Sequence, residues 1–229
     1  MSLDFLFAPV EAIDEFVSHL FEGAPLPVAL LLAALLGLRH ATDPDHLMAV
    51  TSLVAADGAG TRAAARLGAF WGVGHAATLL VVGLPLILLS ATVPEWLGSG
   101  AETLVGVVIA VLAARVLLRW WRRDHDRAPT HEEHRLRTPR QAAAIGALHG
   151  LAGTGAVVLL LIAAIPDPIA ACAALAAFAP LSAASMALCT SGFAWTLTRP
   201  AIQPLYNAFL LPLLGACGLV FGGVYAGLL

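Results

Sequence analysis

Three long stretches of the sequence, residues 67–94, 141–166 and 168–198, contain no aspartate, glutamate, lysine or arginine. A predominantly apolar run of about 18 or more residues is long enough to cross a bilayer as a helix. Of the 229 residues, 59% are hydrophobic and only 12% are charged, whereas a soluble domain carries about 25% charged residues. The sequence therefore predicts an all-α integral membrane protein.

The apolar runs and the turn residues between them predict about six transmembrane helices. Their expected ranges are 27–54, 67–92, 101–121, 141–165, 168–197 and 205–229. Residues 25–229 would form one transmembrane domain with a His- and Arg-rich loop at about 122–140. Residues 1–24 contain acidic and apolar residues but no lysine or arginine, which predicts an amphipathic segment at the outer membrane surface.

The arginines predict the orientation of these helices. All twelve basic residues are arginine, and all except Arg39 lie in or beside the loops after the first, third and fifth predicted spans. Because arginine-rich loops stay on the cytoplasmic side, both termini are expected outside the cytoplasm. The expected location is the inner membrane of a bacterium.

The exception, Arg39, belongs to a polar cluster inside the first span, "RHATDPDH", residues 39–46. Each Asp or Arg at the centre of a membrane helix costs about 2.5–3.5 kcal/mol on insertion scales. Such groups persist when they face a cavity, pair with one another or bind a ligand. Pro44 disfavours a regular helix at Asp43, so we expect a kink or break that would turn Asp45 towards His40 and His46.

Imidazole and carboxylate together are suitable ligands for Ni(II), Co(II), Zn(II) or Mn(II). His40, Asp45 and His46 are therefore candidate metal ligands, with Asp43 beside them. An ion pair between Arg39 and one of the two aspartates, locking the helix bundle without binding anything, is the alternative. That alternative leaves both histidines unexplained.

The pattern G-x-x-H occurs three times, as "GLRH", "GVGH" and "GALH", ending at His40, His75 and His149. His75 is a further candidate ligand, or else a hydrogen-bonded core residue. His149 and Arg39 are candidate pathway residues. The pattern occurs in the first and fourth spans, each of which opens a set of three. Because three is odd, the repeat suggests two three-helix halves of inverted topology, although so short a pattern also arises by chance.

The predicted loop at 122–140 contains His125, His131 and His134 among four acidic residues. It would collect metal weakly on the cytoplasmic side, or it is a solvated hinge.

Two of these motifs resemble a known family. "HATDPDH" is similar to the H-x4-D-H signature of the nickel/cobalt transporter family, and "FWGVGHAATLLVV" resembles that family's second motif. The resemblance implies that His40, Asp45 and His46 are metal-site residues, that Asp43 supports them and that His75 is their partner on the second helix. Short nickel permeases of the urease-accessory type are the expected relatives.

The sequence departs from the family pattern in four ways. Pro44 replaces the usual alanine, and Ala76 and Ala77 stand where serine and threonine are usual. The later acidic motif of the family is absent, and "GALHGLAGTG" with His149 stands in its place. Finally, about six spans are expected where the family has eight.

The resemblance implies transport of a divalent transition metal ion, Ni(II) or Co(II), through the intramembrane His/Asp site. We expect no enzymatic activity and no cofactor other than the transported ion. The expected partners are the metal ion, the lipid bilayer and metalloenzyme maturation proteins, and not nucleic acid. A membrane accessory protein that assembles metalloenzymes without transporting metal is the alternative. Two further classes fit less well. A membrane acyltransferase with an H-x4-D motif would need a second sequence motif that this chain lacks, and a thiol–disulfide electron carrier would need paired cysteines, which this chain also lacks.

Overall fold

The computed structural model describes residues 20–21, 24–43, 45–50, 61–91, 94–122, 138–152, 158–159, 162, 165–197 and 199–228. All regular secondary structure in these ranges is helical, as the sequence predicts. Within the described residues, five helical spans are long and apolar enough to cross a membrane: Leu26–Val50, Thr61–Leu88, Trp96–Leu118, Pro168–Leu197 and Gln203–Tyr225. The chain is therefore an all-α protein with the helices of an integral membrane protein.

We number the helices α1 (Leu26–His40), α2 (Thr61–Leu88), α3 (Glu95–Trp121), α4 (Pro139–His149), α5 (Pro168–Leu197) and α6 (Gln203–Tyr225), the last of which includes a π-helical stretch. The bounds of α5 agree with the prediction. Helices α2 and α3 begin earlier than predicted, because their first turns contain polar residues that a hydropathy criterion leaves outside the apolar run.

The first span is interrupted in the polar cluster. Helix α1 ends at His40, residues 41–43 form a turn, and helical structure resumes over residues 45–50. The backbone N–H of Asp43 bonds to the carbonyl of His40 at 3.2 Å, and the carbonyl of Asp43 then accepts from Leu47 at 2.9 Å. The break expected beside Pro44 is therefore found next to it, although Pro44 itself lies outside the described residues.

The fourth span differs from the prediction of a continuous helix over 141–165. Helix α4 ends at His149 and a turn follows through Gly150 to Ala152, with helical structure again at 158–159 and 162. At 1.5 Å per residue the 11 residues of α4 cover about 17 Å, too little for a hydrocarbon core of about 30 Å. The glycine-rich sequence that follows His149 disfavours helix because glycine loses more backbone entropy than other residues.

Two helix pairs run antiparallel. In the first pair, α2 and α5, Gly68 lies against Thr190 and Gly72 against Ala183. In the second, α3 and α6, Gly106 lies against Ala226, whereas Gly215, earlier in α6, lies against Leu117 near the end of α3. Each of these pairs contains one helix from the first half of the chain and one from the second half.

Two further pairs join the first helix of each half to the middle helix of the other half. Helix α1 packs on α5, where Gly37 lies against Phe178 and the Ala41 carbonyl is 3.8 Å from Cys189 Sγ. Helix α4 packs on α2, where Gly146 lies against Trp71. These four pairs have the most extensive contacts between helices in the described structure. If α1, α2 and α3 are exchanged with α4, α5 and α6, respectively, the same set of four pairs is obtained. Because α2 and α5 are antiparallel, as are α3 and α6, this pairing has the form expected for two inverted three-helix halves.

The three G-x-x-H patterns lie where helices cross. An added Cβ would lie 2.6 Å from the Phe178 carbonyl oxygen at Gly37 and 2.7 Å from Ala183 Cα at Gly72, and at Gly146 it would meet the Trp71 carbonyl. Only glycine allows backbones this close. A residue three positions later lies on nearly the same helix face, so each of the three histidines lies close to a helix crossing.

Candidate metal centre

Four histidines and two aspartates are almost completely buried at the interruptions of the first and fourth spans and on α2. His46, His75, His149 and Asp45 are 0% exposed, and His40 and Asp43 are 1% exposed. Along the chain this polar group lies between two apolar clusters, one including Val50, Leu67 and Ala142 and the other Leu36, Leu79 and Ile162. The fold thus encloses a polar site with apolar layers on both sides.

His40 joins α1 to α2. Its Nδ1 is 3.0 Å from Asp43 Oδ2, and its Nε2 is 3.0 Å from His75 Nε2. Because an ionised carboxylate only accepts hydrogen bonds, it fixes the proton of a neutral His40 on Nδ1 and leaves a lone pair on Nε2. A carboxylate that orients a metal-binding histidine in this way is a common arrangement around protein-bound metals.

His46 is held by the residue before it. The Asp45 Oδ1 atom accepts the His46 backbone N–H at 2.9 Å and lies 3.0 Å from His46 Nδ1. His46 Nε2 is buried and has no hydrogen-bond partner among the described residues. A buried acceptor without a partner costs about 1–3 kcal/mol, so this nitrogen is suited to a ligand that enters the site.

His149 brings the second half of the chain into the site. Its Nε2 lies 3.3 Å from Asp45 Oδ2, within ion-pair distance but without hydrogen-bond alignment, and its Nδ1 has no hydrogen-bond partner in the described part of the chain. The His46 ring lies between the rings of His40 and His149, with centroid distances of 4.3 Å to each. Both the predicted ligand group and the candidate pathway histidine therefore meet at one place.

The donor atoms form two overlapping groups, His40 with His46 and His75, and Asp45 with His46 and His149. Within each group, one donor atom from each residue lies within 4.8 Å of the others. Zn–N bonds are about 2.0–2.1 Å, so two nitrogens bound at right angles lie about 3.0 Å apart. The 3.0 Å separation of His40 Nε2 and His75 Nε2 is of this size. The arrangement can therefore hold a first-row divalent metal ion.

Arg39 forms the ion pair that was the alternative explanation of the polar cluster. Its Nη1 is 3.2 Å from Asp43 Oδ1, and its side chain is 27% exposed whereas that of Asp43 is 1% exposed. The pair involves Asp43, which also bonds to His40. It gives a structural role to Arg39 and to one carboxylate, but it does not explain why Asp45 and four histidines are buried together.

Two aromatic walls of the site were not predicted. The Trp71 ring centroid is 5.6 Å from those of His46 and His149, and Phe178 meets His40 edge-on at 5.2 Å. Trp71 precedes His75 by four residues, a helical spacing that would have indicated a shared face. An apolar cavity adjoins Trp71 and His149 and is lined mainly by α3 and α4, including Val105, Ile109, Leu112, Ala142, Ile145 and Leu148.

The loop histidines His125, His131 and His134 lie outside the described residues, as do residues 1–19. Metal collection by that loop and the amphipathic N-terminal segment therefore stay predictions.

Comparison with known proteins identifies two relatives. The chain is 33% identical over 139 residues to the urease accessory protein UreH of Bacillus sp. (strain TB-90), covering 57% of this chain and 60% of the relative. It is 30% identical over 154 residues to the hydrogenase nickel incorporation protein HupN of Bradyrhizobium diazoefficiens, covering 62% of this chain but 38% of the relative.

The matched region thus spans less than two thirds of the length of either relative. No family model and no solved structure matches the chain. The two relatives nevertheless confirm the resemblance to the nickel/cobalt transporter family that the "HATDPDH" and "FWGVGHAATLLVV" motifs indicate.

Proposed function

We propose that this protein transports a divalent transition metal ion across the membrane, with Ni(II) as the first candidate and Co(II) as the second. The observation that supports the proposal is the convergence of four histidines and Asp45, all buried, where two membrane segments are interrupted. Intramembrane ionisable groups are costly and usually mark an ion or substrate pathway.

The donor chemistry favours Ni(II) and Co(II). Imidazole and carboxylate suit both ions, whereas Cu(I) prefers the soft sulfur ligands of Cys and Met. In the Irving–Williams order Ni(II) binds more tightly than Co(II), and Co(II) more tightly than Mn(II). The name of one relative, a hydrogenase nickel incorporation protein, points to nickel as well.

The architecture favours transport over storage. Inverted halves that meet at a midplane site can expose that site first to one side of the membrane and then to the other. The proposal includes both termini outside the cytoplasm, as the arginines predict, and a bacterial inner membrane. The transported ion is the only bound group that the proposal requires, and it includes neither a catalytic reaction nor a nucleic-acid partner.

Metal accumulation tests the proposal. Cells that produce the protein and control cells would be supplied separately with Ni(II), Co(II), Zn(II) and Mn(II), and the cellular metal content measured by mass spectrometry. We expect a change in Ni(II) content, with a smaller change for Co(II). His46→Ala should abolish this change while protein remains in the membrane, because it removes the one histidine shared by both donor groups.

Ser182→Ala is the matched control, since Ser182 is equally buried, on the neighbouring α5, and donates to the Ala179 carbonyl at 2.8 Å outside both donor groups. Normal transport by His46→Ala would mean that the cluster is structural.

The printed name of one relative, an accessory protein, favours a second candidate function: a membrane protein that binds nickel for metalloenzyme assembly without moving it across the bilayer. Purified protein in sealed liposomes containing a metal-sensitive dye separates the two functions. Transport gives a dye response that requires His46. Binding of Ni(II) by the protein without any dye response would favour the accessory role, and maturation proteins would then be its partners.

A further inference from the structure

We propose that the ion occupies two overlapping positions in succession, a first position among His40, His46 and His75 and a second position among Asp45, His46 and His149. This inference rests on the proposed metal binding and adds the path of the ion through the site. Neither the family motifs nor the family's acidic motif assigns a metal position to His149.

The first position is built by α1, the 45–50 segment and α2. The ring nitrogens of His40 and His75 face each other at 3.0 Å, and Asp43 holds the His40 ring from its other nitrogen. The free Nδ1 of His75 has no partner in the described residues. The His75 proton can therefore move to Nδ1 when Nε2 binds an ion, and neither ring has to turn.

The second position is built by the 45–50 segment and α4. Asp45 uses Oδ1 to hold His46 and leaves Oδ2 at 3.3 Å from His149 Nε2. Both ring nitrogens of the fully buried His149 lack a hydrogen bond within the described ranges. An ion between Asp45 Oδ2 and His149 Nε2 would satisfy the imidazole and neutralise the buried carboxylate together.

His46 connects the two positions and prevents both from being filled at once. Asp45 occupies the Nδ1 side of its ring, so only Nε2 remains as a donor. This nitrogen has one lone pair and can bind one ion at a time. The ring lies at 4.3 Å, centroid to centroid, from His40 on one side and His149 on the other. An ion can therefore stay bound to His46 while it exchanges His40 and His75 for Asp45 and His149.

The two positions differ in their surroundings. His149 lines the apolar cavity bordered by α3 and α4, whereas His40 and His75 do not. The second position thus adjoins this cavity and the first does not, so successive occupation moves the ion towards the cavity.

Co(II) bound to the purified full-length protein provides the test. X-ray absorption spectroscopy counts the imidazoles on the ion, and titration calorimetry gives the number of ions bound. The wild-type protein should bind one ion per chain with an average of two to three imidazoles, because the two positions contain three and two histidines. His149→Ala should confine the ion to the first position and give three imidazoles. His75→Ala should confine it to the second position and give two.

A single site that uses all four histidines predicts a different result. The wild-type ion would then have four imidazoles, and His149→Ala and His75→Ala would each lower the count to three. That result, or two ions bound per wild-type chain, would overturn the proposal. The absence of specific Co(II) and Ni(II) binding by the wild-type protein would contradict the proposed function instead, so the two failures are distinguishable.

Uptake into liposomes gives a second readout. Because each single variant keeps one position but loses the exchange, His75→Ala and His149→Ala should retain stoichiometric binding and lose at least about 90% of the uptake rate. Ser182→Ala should keep both properties. Normal uptake by His149→Ala at an unchanged protein level would show that the second position is not used.

Discussion

The two halves of the molecule share a scaffold but differ in chemistry. Each half begins with an interrupted span that contains G-x-x-H, and in each the glycine lies against a helix of the other half. The first half adds Arg39, both aspartates, His46 and His75 to this frame, whereas the second half contributes His149. The glycines therefore set the helix crossings in both halves, and the polar side chains near these crossings determine which ligand the site can bind.

The polar groups of α5 show the same contrast. Ser185 Oγ lies 3.0 Å from the Gly37 carbonyl and 2.9 Å from the Ser182 carbonyl, and Ser182 bonds to Ala179. These hydroxyls satisfy backbone carbonyls near the crossing of α1 and α5. On α2, at the crossing with α4, His75 instead presents ring nitrogens to the site. The hydroxyls of α5 thus support the scaffold, whereas the imidazole of α2 faces the site.

The largest expected effect concerns the orientation of the two halves. If they are inverted and the arginines face the cytoplasm, a reporter fused after Leu229 should be active only if it functions outside the cytoplasm. A reporter inserted within 123–137 should be active only if it functions inside. Enzymatic assays of both fusions in intact cells show on which side of the membrane each reporter lies. Activity of both reporters on the same side would contradict the inverted arrangement of the two halves.

Removing the charge of Asp43 tests whether this carboxylate of the first half orients the His40 ring for metal binding. Asp43→Asn should weaken Ni(II) binding by about 10- to 100-fold, the usual loss when a carboxylate that orients a metal-binding histidine is removed. Asp167→Asn is the control, because Asp167 is exposed and accepts hydrogen bonds from the first turn of α5. Calorimetry on both variants measures the affinities, and equal affinities would remove Asp43 from the site.

The shared scaffold predicts equal losses of stability from the two equivalent glycines. Gly37→Ala and Gly146→Ala each place a methyl group against the backbone of a neighbouring helix, and overpacking of this kind costs about 1–3 kcal/mol. Gly192→Ala is the matched control, since no atom lies within 4 Å of its added Cβ, and it should be neutral or stabilising by up to about 1 kcal/mol. Denaturant unfolding in detergent measures all three, and a loss confined to one half would contradict the equivalence.

Arg39 has no counterpart charge at the corresponding place in the second half, where Leu148 precedes His149. Its positive charge opposes an incoming cation, although partial exposure screens this effect. Arg39→Gln should therefore tighten Ni(II) binding modestly, by about 1.5- to fivefold, the range of a surface ion-pair energy of 0.2–1 kcal/mol. Arg62→Gln, at the start of α2, should leave the affinity unchanged. Less folded protein with unchanged affinity would instead assign Arg39 a purely structural role.

The sequence by itself determined the membrane character of the chain, the approximate ranges of most of its spans and the polar residues that the first half brings to the site. These properties depend on local sums, since hydropathy is added over a window and the cost of a buried charge belongs to one residue. The break beside Pro44 was also predictable, because the proline acts on the backbone of its immediate neighbours.

Only the tertiary structure decided which distant residues meet. The sequence placed His149 in a continuous span, about a hundred positions from Asp45, whereas the fold ends α4 at His149 and brings the two side chains to 3.3 Å. Trp71 likewise became a wall of the site because Gly146 allows α4 to lie against the α2 backbone at that residue. The length of a span follows from its own residues, but the distance between two side chains depends on how closely their helices cross, which both helices fix together.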